Sequence, residues 1–184
     1  MNKNSQMSMV KHPNRQARRT QSIIYQAFID LLAEKNYNDI TVQEIIDRAD
    51  IGRATFYNHY ASKDLLLEQL CQELFHHIFR HDSEIGPEEF LCHVFRHFQE
   101  NQHKIASLLL AQNDYFIRQL TIEIEHDVYP LLVSYYSLDQ KDIPEAFLKH
   151  FVCSSFISSL EWFLREKTPP EITDLVDYFL KVVV

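Results

Sequence analysis

The chain has 184 residues, 46% of them hydrophobic, with Gly52 and Gly86 as its only glycines and no alternating strand pattern, so it holds material for a real core and an all-α fold is expected. A formal net charge of −8 weighs against a nucleic-acid partner until its distribution is considered. Cys71, Cys92 and Cys153 form no CxxC pair, which excludes a disulfide scaffold, and no signal core or bilayer-length apolar run is evident; a cytoplasmic protein with no membrane association is expected.

Residues 1–14 are polar and read as a mobile arm. Residues 1–20 carry no acid. Before residue 65 there are nine basic and seven acidic side chains, a net of +2, which leaves −10 for the rest. A basic end on an acidic body suits a polyanion at one end, although a chance surface imbalance gives the same numbers. The first helix is expected from about 15 to 35, with Ile24, Ala27, Phe28, Leu31 and Leu32 as its buried stripe. Arg15, Arg18 and Arg19 sit in its first turns, against the helix dipole. Either a phosphate backbone offsets that cost or the three are an ordinary solvated cluster.

Thr41-Val42-Gln43-Glu44 has the form of a capping box, and Val42, Ile45, Ile46 and Ala49 follow at helical spacing. Asp50-Ile51-Gly52 interrupts, and Asp and Gly both tolerate the left-handed backbone a tight turn needs. A second short helix, from Arg53 to about Tyr60, follows at once. This is the layout of a helix-turn-helix.

Taken with Ile23 through Phe28, Tyr37 through Ile40, Thr55-Phe56-Tyr57-Asn58-His59-Tyr60 and Ser62-Lys63-Asp64-Leu65, the segment resembles the DNA-binding domain of TetR-type (TetR/AcrR) transcriptional regulators. Asp50 stands where the family usually has Gly, and Gly52 where it usually has Ser or Thr. The second departure replaces a helix cap at a cost of a few tenths of a kcal/mol. The resemblance implies a three-helix DNA-binding head over 1–62 and a body of about six helices over 63–184. It also implies a fourth helix that joins the two, and a homodimer made by the last two long helices. The stretch from His150 to Leu164 with the final helix also looks like the regulators of dihydroxyacetone kinase.

In the body, Ser62 caps a helix expected from 63 to 81, apolar at Leu66, Leu67, Leu70, Leu74, Phe75, Ile78 and Phe79. Helices are expected from 87 to 102, from 104 to 112 and from 114 to 136, the last kinked or broken near Pro130. A helix from 144 to 166 carries Phe147, Phe151, Phe156, Leu160, Phe163 and Leu164, with Ser154, Ser155, Ser158 and Ser159 between them. Thr168-Pro169-Pro170-Glu171 reads as a second capping box that starts a final helix.

The candidate contacts to double-stranded operator DNA are Thr41, Arg53, Thr55, Tyr57, Asn58, His59, Tyr60 and Lys63. Arg53 can bond a guanine edge bidentately. Thr55 can meet a phosphate or a thymine methyl, and Tyr57 and Tyr60 can offer hydroxyls to phosphates. Thr41 and Lys63 begin helices, whose N-termini favour phosphate. Packing roles compete at Tyr57, His59 and Tyr60, and Phe56 is assigned to the core. No phosphate loop, nucleophile elbow or paired-carboxylate motif suggests an enzyme, and no cofactor is expected. Repression released by a small-molecule effector is the expected mechanism, with a protein-binding adaptor or coactivator as the alternative. His77 with His81 and His93 with His97 have i,i+4 spacing, so a metal-responsive regulator is a further alternative, although solvated histidines explain them more simply. Phe75, Phe79, Phe95, Phe98, Tyr115, Phe116 and Trp162 are candidates to line an effector pocket.

Overall fold

A computed structural model describes residues 15–80, 85–140 and 142–184. The expected arm, with Lys3 and Lys11, lies outside these residues, as does His81. The helices are α1 (Arg15–Glu34), α2 (Val42–Ala49), α3 (Arg53–His59), α4 (Lys63–Ile78), α5 (Pro87–Glu100), α6 (Gln102–Leu110), α7 (Asp114–Glu123), α8 (Tyr129–Tyr136), α9 (Glu145–Arg165) and α10 (Ile172–Val183). Short 3-10 turns cover Tyr37–Asp39 and Leu138–Gln140, and no strand occurs among the described residues.

The fold follows from the apolar stripes. Ile24, Ala27, Phe28, Leu31 and Leu32 are all buried, and α1 lays this side against α2 and α6. The head therefore shares a packed face with the body and is not merely tethered to it. The expected apolar positions of α4 are buried too, and α4 packs on α5 and α7. A chain of phenylalanines then crosses the body. Phe116 of α7 meets Phe75 of α4 at 5.5 Å between ring centroids, and Phe79 meets Phe98 of α5 at 6.4 Å. Phe95 of α5 stacks on Phe156 of α9 at 4.8 Å and meets Phe179 of α10 edge-on at 6.3 Å. No polar or charged residue is buried in this core among the described residues.

Several expectations need correction. The box at Thr168–Glu171 does not form. Glu171 is the extended residue before α10 and makes no side-chain cap bond. Each proline disfavours helical geometry in the residue before it, so the Pro169-Pro170 pair holds the chain extended until it has passed. The irregularity at Pro130 is a π turn over Ile124–Val128 that joins α7 to α8 as one rod. Proline cannot donate to a carbonyl one turn back, and a wider turn resets the hydrogen-bond ladder. With α7 and α8 taken as one, α4 to α10 make six rods. α6 begins at Gln102, two residues before the expected start, because Asn101 closes a sharp corner by donating its amide to the His97 carbonyl at 2.9 Å. Of the aromatics expected to line a pocket, Phe75, Phe79, Phe95, Phe98 and Phe116 are core, while Trp162 is exposed.

Phe95 is fully buried where α5, α9 and α10 meet. Phe95→Ala is expected to lower unfolding stability by about 3–5 kcal/mol, the usual cost of emptying such a site. Urea denaturation measures it, and a loss under about 1 kcal/mol would mean that the core collapses into the space.

Candidate nucleic-acid interface

The expected capping box at the start of α2 is present. The Thr41 hydroxyl accepts from the Glu44 N–H at 3.2 Å, and the Thr41 N–H donates to the Glu44 carboxylate at 2.9 Å. Glu44 also pairs with Lys35, and Arg48 clasps Glu34 at 2.7 and 2.8 Å through both guanidinium nitrogens. These pairs hold α2 against the end of α1. The turn is made by Asp50, whose φ of 50° is left-handed, while Gly52 is extended at φ −74°. A side chain at Gly52 would meet only the Thr55 hydroxyl, at 3.7 Å.

α3 is held from beneath by Phe56, which is fully buried. Its outward side presents Arg53, Tyr57 and Asn58, with Thr55 and His59 half-buried. The Arg53 guanidinium lies 5.8 Å from the Tyr57 ring centroid and donates to the Gln43 amide oxygen of α2 at 3.4 Å. Arg53, Tyr57 and Gln43 thus form one exposed group. Sequence reasoning missed Gln43, which is exposed on α2. Arg15, Arg18 and Arg19 are exposed, and no acid occurs in the first turn of α1.

Two candidates have other work in this structure. Tyr60 is 5% exposed, and its hydroxyl donates to Gln69 of α4 at 2.7 Å. It packs the head and is not an outward contact. Lys63 stands at the start of α4 as expected, but its ammonium is half-buried and donates to the carbonyls of Tyr37 and Ile40 at 2.8 and 2.7 Å. It also lies 4.3 Å from the Tyr37 ring centroid, and the Tyr37 hydroxyl donates to Asp64. Burial lowers the Lys63 pKa, against the opposing pull of Asp64, Asp39 and Glu44.

His77 is described but its expected partner His81 is not, so only the His93–His97 pair lies wholly within the described residues. The rings of His93 and His97 are 4.5 Å apart, and burial followed by His97 lowers the His93 pKa. Among the described residues no three His, Cys, Asp or Glu side chains converge to hold a metal ion. Burial raises the thiols of Cys71, to about 12, and Cys153, to about 11. No helix among the described residues is long and apolar enough to cross a membrane.

Residues 23–70 match the model of the bacterial regulatory proteins of the tetR family. The chain is similar over most of its length to a TetR transcriptional regulator from Streptococcus agalactiae. That structure superposes with a TM-score of 0.86 at 47% identity, over 92% of this chain and 96% of the other. The chain belongs to the TetR family of transcriptional regulators. It is also 33% identical over 177 residues to the uncharacterised HTH-type regulator YxbF of Bacillus subtilis, across 88% of this chain and 44% of YxbF. Over 84 residues it is 34% identical to DhaS, the dhaKLM operon transcriptional activator of Lactococcus lactis, across 45% of each. The chain spans less than half the length of these two curated relatives.

In this TetR-family head, Lys35 and then the Thr41 bonds lower the Glu44 pKa from 4.5 to about 2. A depressed carboxylate pKa stabilises the fold above the unfolded value and loses that contribution as pH falls through the folded one. The stability difference between the wild type and Glu44→Gln is expected to be constant above about pH 4.5 and to shrink towards pH 2. Urea midpoints across that range measure it. A difference that persists undiminished at pH 2 would refute the assignment.

Proposed function

We propose that this TetR-family protein is a cytoplasmic, sequence-specific repressor that binds a two-fold symmetric operator as a homodimer and is released by a small-molecule effector. Residues 1–62 are the DNA-binding head in this reading, and 63–184 the effector-binding and dimerisation body. One observation carries it: the exposed group of Arg53, Tyr57 and Gln43 on a helix pair whose other side is buried. A guanidinium suits guanine O6 and N7, and the amides of Gln43 and Asn58 suit adenine. Thr41 and the exposed Arg15, Arg18 and Arg19 take phosphates, which fix register without reading sequence.

The dimer reading is supported by apolar side chains that α9 and α10 leave uncovered. Phe147 is 60% exposed, Trp162 44% and Val182 68%, with Phe151 and Tyr178 beside them. Phe147 and Phe151 stack with ring centroids 6.4 Å apart, and exposed apolar surface of this kind marks an interaction site. A two-fold pair of heads matches a symmetric operator. An effector that binds better to a head spacing unsuited to DNA then shifts the population off the operator. The likeness to DhaS, an activator, favours a second reading in which the same DNA-bound dimer activates through a protein partner.

Arg53→Ala is expected to weaken operator binding by about 1–3 kcal/mol, the range for one bidentate base contact. Footprint titration of the DNA beside the protein's own gene reads this directly, and unchanged affinity would remove Arg53 from the contact set. The double change Phe147→Asp and Phe151→Asp is expected to give monomers at micromolar concentration in sedimentation, with weakened operator binding. Dimers that persist would place the interface elsewhere.

A further inference from the structure

A groove of about 700 Å³ opens between α7 and α9, within the size range of small-molecule sites. Glu125 of the π turn and Glu145 and Glu161 of α9 line it. Against these three carboxylates stands one ammonium, Lys149, and it is already engaged. It pairs with Glu145 at 3.4 Å and lies 5.3 Å over the ring of Tyr129. Glu161 accepts only from the neutral amide of Gln112, and Glu125 has no cationic partner among the described residues. Glu125 faces Cys153 across the groove. Burial, and next the charge of that carboxylate, raise the thiol to about 11. Ile117 of α7 and Ile157 of α9 supply an apolar wall. The π turn that carries Glu125 is a break in an otherwise regular rod, and such turns recur at functional sites.

We propose that this groove binds a small organic cation, with its ammonium held by Glu125 and Glu161 and its apolar part on Ile117 and Ile157. Two carboxylates without counter-charge facing a concave space attract a cation, and the acidic body strengthens the field. A neutral or anionic molecule would leave both without a counter-charge. The site also has a route to the head. Gln112 occupies the α6–α7 turn at a left-handed φ of 53° and lines this groove. It lines as well a second groove of about 330 Å³, whose other walls include Tyr37 of the head and Asp64 of α4. An ammonium that takes Glu161 competes with the Gln112 amide at a turn next to the DNA-binding unit. The consequence for operator release rests on the effector reading above, whereas the site itself does not.

The test uses the full chain without DNA, with phenethylammonium as probe and 2-phenylethanol as its neutral counterpart, read by calorimetry and ligand-observed NMR. The ammonium is expected to bind saturably and roughly tenfold or more tighter than the alcohol, the factor that charge-assisted bonds contribute. The double change Glu125→Gln and Glu161→Gln is expected to abolish that preference, while Glu171→Gln, which lines neither groove, retains it. If the double variant fails to fold by circular dichroism, Glu125→Gln alone serves. No saturable ammonium binding, equal binding of the two probes, or binding unaltered by the glutamine variants would overturn the proposal. Operator affinity measured with and without the probe separates the two readings. Binding that leaves DNA affinity unchanged supports the site and removes it as the switch.

Discussion

The ammonium of Lys63, seated between the carbonyls of Tyr37 and Ile40, is the joint on which the DNA-binding unit depends. It ties the first turn of α4 to the chain that leaves α1, so α2 and α3 are enclosed between two fixed points. Hydrogen bonds to a charged group contribute about 1.5–3 kcal/mol. The restraint matters because α3 has seven residues, far too few to hold a helix alone. Phe56 anchors it from beneath, the Thr41–Glu44 box fixes α2 ahead of it, and Lys63 closes the loop behind. Arg53 and Tyr57 are thereby presented on a surface that does not need to reorganise. The Lys63 ammonium thereby links the start of α4 to the Tyr37 turn.

The body divides its surfaces by packing. The phenylalanine chain through Phe116, Phe75, Phe79, Phe98, Phe156 and Phe95 fills the interior. Space for a ligand is left between helices, as in the groove of α7 and α9. The same α9 is apolar toward the core at Leu148, Val152 and Phe156, and apolar toward solvent at Phe147, Phe151 and Trp162. A helix apolar on two sides has a second surface to cover, which is the physical basis of the proposed dimer.

What could be read from the sequence was mostly local. The capping box spans four residues, and the stripe of α1 repeats at one helical period, so both were legible without knowledge of the fold. Phe56 stood out as a core anchor for the same reason. The roles of Tyr60 and Lys63 were not legible, because their partners lie 9 and 26 residues away in the chain. Gln43 was missed because Arg53, ten residues on, meets it only once the turn has formed. At Thr168–Glu171 the pattern of a capping box was present, but the two prolines between its ends overrode it. Pro130 marked an irregularity without revealing that it would be a π turn. The aromatics were countable, yet composition does not distinguish a pocket wall from a filled core.

In the reading proposed above, α3 reads DNA in a two-fold dimer. Selection of bound fragments from a random double-stranded DNA pool by the purified protein tests it most directly. Enrichment of a symmetric sequence is expected, with half-sites separated by about one helical turn, roughly 34–36 Å, or a multiple of it. Enrichment of no sequence, or of one without two-fold symmetry, would contradict it.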